Sequence, residues 1–329
     1  MENLFRYGVS FSVVKLILGA GSYSWFSSAY PDVGPAPDIK VDMSSVEVER
    51  GRYLFHNVAA CNHCHSKRDW TKFGGPDTPG TFGQGGERFD DGSGTVYSKN
   101  ITPYKLKDWT DGEIYRVITT GVDKNGNPLY PMMPYESFGK MDPRDVKAII
   151  SYMRTLKPVK YEPPARHLKF FINIMLRTIP KPATPMIRPS RSDTINYGRY
   201  LITIADCNGC HTLYDEKNMA FRNDLFLAGG WKIDMPGGTL GVANLTPDSA
   251  TGLGYWSLKQ FITRFKSFDG NYDEIPAVKE HDFQTIMPVN DFAGMTTEDL
   301  TAIYAYLRTI KPIKNKVVKF TPKTQIETD

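Results

Sequence analysis

All four cysteines of the chain fall into two copies of one five-residue pattern, Cys61-Asn62-His63-Cys64-His65 and Cys207-Asn208-Gly209-Cys210-His211. Two thiols three residues apart, followed directly by an imidazole, match the spacing for covalent attachment of a c-type haem. The sulfurs form thioethers to the two vinyl groups of one porphyrin, and the adjacent histidine lies under the iron as an axial ligand. The pattern predicts two covalently bound haem c groups, one on Cys61, Cys64 and His65 and one on Cys207, Cys210 and His211. Zinc is the competing reading of paired C-x-x-C. Zinc ribbons, however, place their pairs about 15–20 residues apart, and far more sequence separates Cys64 from Cys207.

An iron held from one side needs its sixth position assigned. Methionine there raises the potential and fills the site, which suits electron transfer, whereas an open or displaceable position allows small molecules to bind. The chain answers by repeating itself. Gly51-Arg52-Tyr53-Leu54 recurs as Gly198-Arg199-Tyr200-Leu201, Asn100-Ile101-Thr102-Pro103 as Asn244-Leu245-Thr246-Pro247, and Trp109 as Trp256. Residues 141–159 align without gaps to residues 295–313. In this register Met133-Pro134 matches Met287-Pro288, while Met132 matches Ile286. The expected axial pairs are therefore His65 with Met133 and His211 with Met287.

The remaining candidates carry less. Met132, Met141 and Met295 read as flexible core filler. His281 is the rival axial ligand, and His63 is expected to face solvent because the motif tolerates any residue there. Trp109 and Trp256 are either donors to haem propionates or plain core aromatics. Arg52 and Arg199 are either propionate partners or exposed helical arginines.

The elements that position these residues read as helical. Ser44 with Glu47 and Thr110 with Glu113 form capping-box patterns, and Gly121 stops the second helix. Asp142 before Pro143 starts the last helix of the first repeat, with Val146, Ile149, Ile150 and Met153 on one apolar face. The second repeat places Leu300, Ile303, Tyr304 and Leu307 in the same way. The expected division is an N-terminal segment at 1–30, a first haem domain at 31–159, a linker at 160–193, a second haem domain at 194–315 and a tail at 316–329. The glycine-rich stretch at 66–99 reads as an irregular loop around a haem edge or a plain surface loop. The linker reads as a packed spacer with a short amphipathic helix at 167–179.

A net charge of +4 includes no basic run that argues for nucleic acid. An apolar stretch at residues 7–29 has about the ~20 residues that span a bilayer, interrupted by Lys15, Gly19 and Gly21. Its length favours a retained membrane anchor. Ser27-Ser28-Ala29 also offers a small-residue signal-peptide cleavage site, and an amphipathic leader is the third reading.

With its two C-x-x-C-H motifs, Asn-x-Thr-Pro loops, Trp-led helices, Met-Pro steps and terminal helices, the chain resembles the class I c-type cytochrome family. The resemblance covers about residues 35–315 in two copies. It is narrower to two-haem, membrane-associated members similar to cytochrome c subunits of bacterial alcohol, aldehyde and gluconate dehydrogenases. It implies a mainly α fold of two tandem cytochrome c-like domains, each wrapping one haem. It also implies that the helix before each haem motif crosses the last helix, with Gly51 facing Tyr152 and Gly198 facing Tyr306. The implied location is the periplasmic side of the bacterial inner membrane. The implied donor is a dehydrogenase or quinol-oxidising complex, and the acceptor a cytochrome or terminal oxidase. Those subunits commonly carry a third haem motif, which this chain lacks. The expected role is an electron carrier in a respiratory chain rather than a catalyst. The alternative is a haem enzyme, a dihaem peroxidase or sulfur-compound dehydrogenase, with one open or displaceable axial site. A third reading is a structural subunit with incidental haems.

Overall fold

The computed structural model describes residues 29–90, 92–215 and 220–323. The expected anchor at 7–29, all but its last residue, lies outside the described residues. Among the described residues no helix is long and apolar enough to cross a membrane.

The first repeat opens with α1 (Ser45–Tyr53), continues into a π-helical turn at Leu54–Val58, and reaches the first Cys motif as a one-turn helix, α2 (Cys61–His65). At the start of α1 the Ser44 amide and hydroxyl both donate to the Asp42 carboxylate. A charged acceptor two residues upstream thus draws the hydroxyl expected to cap the helix. The glycine-rich stretch contains a hairpin, β1 (Arg88–Asp90) and β2 (Gly94–Tyr97), with Phe89 opposite Val96. A short turn, α3 (Pro103–Leu106), precedes α4 (Asp111–Thr120). Here the capping box forms as expected: the Glu113 amide donates to Thr110 Oγ1 at 3.1 Å and the Thr110 amide to Glu113 Oε2 at 2.8 Å. Next come α5 (Tyr135–Phe138) and α6 (Pro143–Thr155), the latter capped by Asp142. Val146, Ile149, Ile150 and Met153 are all buried, as their spacing requires.

The linker contributes structure to the first repeat. Its β3 (His167–Leu168) adds antiparallel to β2, and α7 (Phe170–Met175) follows, extended by a 3-10 turn at Leu176–Thr178. Ile172, Leu176 and Ile179 bury against Tyr135, with Leu129, Tyr130 and Met133 packed at the edge of this cluster.

In the second repeat the order recurs as α8 (Thr194–Ile204), α9 (Cys207–His211), β4 (Lys232–Met235), β5 (Gly238–Gly241), α10 (Leu258–Lys266), α11 (Val289–Phe292) and α12 (Thr297–Leu307). Ser257 and Gln260 box the start of α10 as Thr110 and Glu113 box α4. The expected tail supplies β6 (Phe320–Pro322), which pairs with β5.

The chain packs as two compact units. Among the described residues, one contains 29–52, 83–90, 92–187, 215 and 220; the other contains 53–82, 188–214 and 221–323. In the first unit α1 meets α6 at Gly51, where a Cβ would fall 1.8 Å from the Ala148 carbonyl oxygen and 3.0 Å from Tyr152 Cβ. In the second, α8 meets α12 at Gly198, where a Cβ would fall 1.9 Å from the Ala302 oxygen. The first contact brings in Tyr152, as the resemblance implies; the second runs to the backbone of Ala302 and Ile303.

A two-bond ion pair fixes the first crossing. Arg50 grips buried Asp145 with two parallel bonds of 3.0 and 3.1 Å. At the matching position of the second repeat, buried Asp299 accepts from the Tyr53 hydroxyl at 2.7 Å and pairs with Arg191 at 3.3 Å.

The Asn-x-Thr-Pro loops clamp the chain as it leaves each last helix. Asn100 Oδ1 accepts from the Thr102 amide and hydroxyl, while Asn100 Nδ2 donates to the Val159 and Tyr161 carbonyls, both at 2.9 Å. Asn244 does the same with Thr246 and with Ile313, at 2.8 Å to the carbonyl.

Gly→Ala normally favours a helix by roughly 0.5–1 kcal/mol. At Gly51 or Gly198 the added methyl must instead displace a backbone carbonyl, so each substitution is expected to destabilise by about 1–3 kcal/mol. A thermal melt of either variant should show a lowered midpoint; a raised midpoint would mean that the crossing is loose.

Candidate haem sites

Both Cys motifs fold into the same single turn. Each is entered from a non-glycine residue in the left-handed region, Ala60 at φ 46° and Asp206 at φ 53°. Each is left through an extended residue, Ser66 or Thr212, whose amide donates to Asn62 O at 2.9 Å or Asn208 O at 3.1 Å. A left-handed alanine or aspartate costs roughly 1–2 kcal/mol. Its recurrence at one repeat position ties that strain to the motif rather than to local sequence.

Residues three apart on a helical turn share a face. Cys61 with Cys64, and Cys207 with Cys210, therefore lie on one side of their turns, as two thioethers to one porphyrin require. None of the four is in a disulfide. Burial, reinforced for Cys61 by Cys64 and for Cys207 by Asp206, pushes both leading thiols up to about 12, so they are neutral at pH 7.

His211 is oriented for ligation. Its Nδ1 lies 2.8 Å from the Ala243 carbonyl oxygen. A carbonyl only accepts, so the ring proton sits on Nδ1 and Nε2 keeps its lone pair, the arrangement in which a backbone partner fixes a metal-binding histidine. Burial holds the imidazole below its ordinary basicity, against the Ala243 bond. His65 is half-buried at the same place in the first turn.

The Met-Pro steps also share one geometry. The Tyr135 amide donates to Met133 O at 2.8 Å and the Val289 amide to Met287 O at 2.7 Å. Pro134 (φ −80°, ψ 54°) and Pro288 (φ −73°, ψ 60°) stand at the centres of these inverse γ-turns, which launch α5 and α11. Met133 is half-buried, whereas Met132 is exposed.

His63 corrects an expectation. It does not face solvent: it is 6% exposed, with Nδ1 2.9 Å from Asp291 Oδ2 and Nε2 3.1 Å from the Ile286 carbonyl oxygen, one residue before Met287. Its neighbour Asn62 donates through one Nδ2 to Asp77 at 3.0 Å and to Asp291 at 2.6 Å. The two variable residues of the first motif thus pin it to the segment carrying Met287. The signal available in the sequence was the difference between copies, His63 against Gly209. In the second copy the Asp206 carboxylate occupies the place a Cβ at Gly209 would take, so a side chain there would have to displace it.

No family model matches the chain. The cytochrome c subunit of alcohol dehydrogenase (quinone) from Gluconacetobacter polyoxogenes is 29% identical over 291 residues, covering 83% of this chain and 58% of that protein. The gluconate 2-dehydrogenase cytochrome c subunit of Pantoea cypripedii is 28% identical over 303 residues, covering 85% and 63%. A diheme cytochrome c-type protein of Cereibacter sphaeroides is 26% identical over 282 residues, covering 82% and 87%. The chain is a relative of dehydrogenase cytochrome c subunits. It spans less than two thirds of the length of the two dehydrogenase subunits, and most of the diheme protein.

The other candidate residues take these places. Met141 and Met295 are buried core, and His281 is exposed. Arg52 pairs with Glu49 at 2.7 Å. Trp109 and Trp256 are half-buried; Lys124 stands over the Trp109 ring, and the Trp256 carbonyl accepts from the Tyr304 hydroxyl. Among the described residues no group of three or more His, Cys, Asp or Glu is placed to hold a metal ion.

Around the first motif, burial raises Asp77 to about 7, helped by the charge of Asp291 and opposed by bonds from Asn62 and Ser66. Burial, then the Arg68 charge, lowers the basicity of His63 against its bond to Asp291. An unfolded aspartate titrates near ~3.9. Between that value and about 7 the unfolded chain has released the Asp77 proton while the folded chain retains it. Stability contributed at this site therefore falls as pH rises through the window. Asp77→Asn removes the titration and leaves an acceptor for Asn62. Denaturant unfolding should show the variant gaining on the parent more at pH 8 than at pH 5; an equal difference at both would mean Asp77 does not titrate there.

Proposed function

We propose that the chain is a dihaem c-type cytochrome that carries single electrons. Cys61, Cys64, His65 and Met133 hold one haem c, and Cys207, Cys210, His211 and Met287 hold the other. The observation that carries this reading is the recurrence, in both repeats, of the same Cys-motif turn and the same Met-Pro turn. An iron ligated by histidine and methionine exchanges one electron without an open coordination position.

The chain's own residues set the conditions for that exchange. The four cysteines would fix the porphyrins through thioethers, the Ala243 carbonyl orients His211, and the Met-Pro turns offer a methionine sulfur from a backbone held by its own hydrogen bonds. The names of the relatives support a dehydrogenase as donor, which in our reading lies on the membrane or in the periplasm. A quinol-oxidising complex is the other donor class, and a cytochrome or terminal oxidase would take the electrons. We place the protein on the periplasmic side of the bacterial inner membrane, tethered by its N-terminal segment.

The ligand assignment is tested by potentiometric titration of Met133→His and Met287→His. Each should lower one midpoint potential, by on the order of 100 mV within the roughly 0.8 V range that axial ligands command, with two haems per chain retained. If Met133→Ala leaves both potentials and the visible spectrum unchanged, Met133 is not a ligand.

A further inference from the structure

Unit by unit, one exposed apolar feature stands out. Phe170 and Phe171 begin α7 and are 68% and 53% exposed, their rings in edge contact at 5.6 Å. The same helix buries Ile172 and Ile174, so its two faces are both apolar and only one is covered. Single exposed apolar residues are ordinary, but an adjacent aromatic pair rooted on a packed helix is a rigid apolar projection.

The segment that carries it is basic. Residues 160–187 carry five Lys and Arg against one Glu, a net +4 that equals the formal charge of the whole chain. The rest of the chain is balanced at 35 charges of each sign. Lys160, Lys169 and Lys181 are exposed. Lys169 is held beside the phenylalanines by donating to the Gly92 carbonyl at 2.6 Å, and Asp90 in that turn is neutralised by Arg88. At the far end of the helical segment, Arg177 donates to the carbonyl of Tyr30 at 2.9 Å. Tyr30 is itself exposed, and the apolar sequence at 7–29 leads directly into it.

We propose that this face docks on an anionic phospholipid surface, Phe170 and Phe171 entering the interface and the lysines meeting the headgroups. An exposed aromatic pair with a lysine beside it, on a basic stretch of chain, has the chemistry of interfacial binding, and the charge excess confined to this segment matches an anionic leaflet. The proposal rests on the membrane association put forward above and adds a second contact to it, one that orients the first unit.

The test uses the full-length holoprotein with Phe171→Cys, spin-labelled and mixed with phosphatidylcholine vesicles with or without phosphatidylglycerol. Native cysteines in thioethers do not react, so one label per chain also reports haem attachment. In anionic vesicles the nitroxide should gain oxygen accessibility and lose accessibility to a water-soluble nickel chelate, each several-fold. The shift should weaken with salt, and each exposed lysine replaced by glutamine should reduce the anionic preference by about fivefold.

If the chain floats with vesicles while the label stays aqueous, the docking face is wrong and the membrane association stands. If the chain does not float at all, both fail. Equal burial in neutral vesicles would overturn the anionic assignment. Burial that appears only when a co-purifying dehydrogenase is added would make the face a protein contact and overturn the proposal.

Discussion

Each repeat depends on one contact, the approach of a glycine to a carbonyl where its first helix crosses its last. With Gly51 against Ala148 and Gly198 against Ala302, the helix axes come closer than any side chain permits. That proximity fixes where the first helix ends, and the Cys motif follows within a few residues: α8 stops at Ile204 and α9 starts at Cys207. Asp145 locks the first crossing from the last helix, and in both repeats the Asn-Thr clamps hold the chain as it leaves. A tightly crossed pair of helices is a stiff frame, and under the proposed ligation it would hold the axial ligands in place as the iron changes charge.

On this common frame the two copies diverge where the attachment pattern leaves residues free. In the first motif the free positions hold Asn62 and His63, which reach Asp77, Asp291 and the Ile286 carbonyl. In the second, Asn208 accepts from Thr212 within its own turn, and Gly209 yields its space to Asp206. The Asp145 position diverges as well, met by Arg50 in one repeat and its counterpart by the Tyr53 hydroxyl in the other. The two copies keep the C-x-x-C-H pattern while the flanking contacts are specific to each.

What was legible in the sequence follows from what repeats and what is local. The capping box at Thr110, the proline start at Pro143 and the buried stripe of α6 depend on near neighbours and could be read directly. The repeat then aligned Met133 with Met287, and both sit at the same γ-turn. The burial of His63 could not be read, because its partners lie more than two hundred residues away and the motif places no demand on its identity. The Ser44 cap failed for a local reason, competition from Asp42. The hairpin at 88–97 was hidden by glycines, which signal turns without specifying what pairs across them. The grouping of Tyr53–Phe82 with the C-terminal half depends on packing that no periodicity encodes.

The central claim is that both irons are six-coordinate and serve only to pass electrons. Exposure of the fully reduced protein, two haems per chain, to carbon monoxide tests it most directly. With methionine on both irons, neither haem should bind the gas promptly. Prompt, stoichiometric binding at one haem would show an open or displaceable site and contradict the claim.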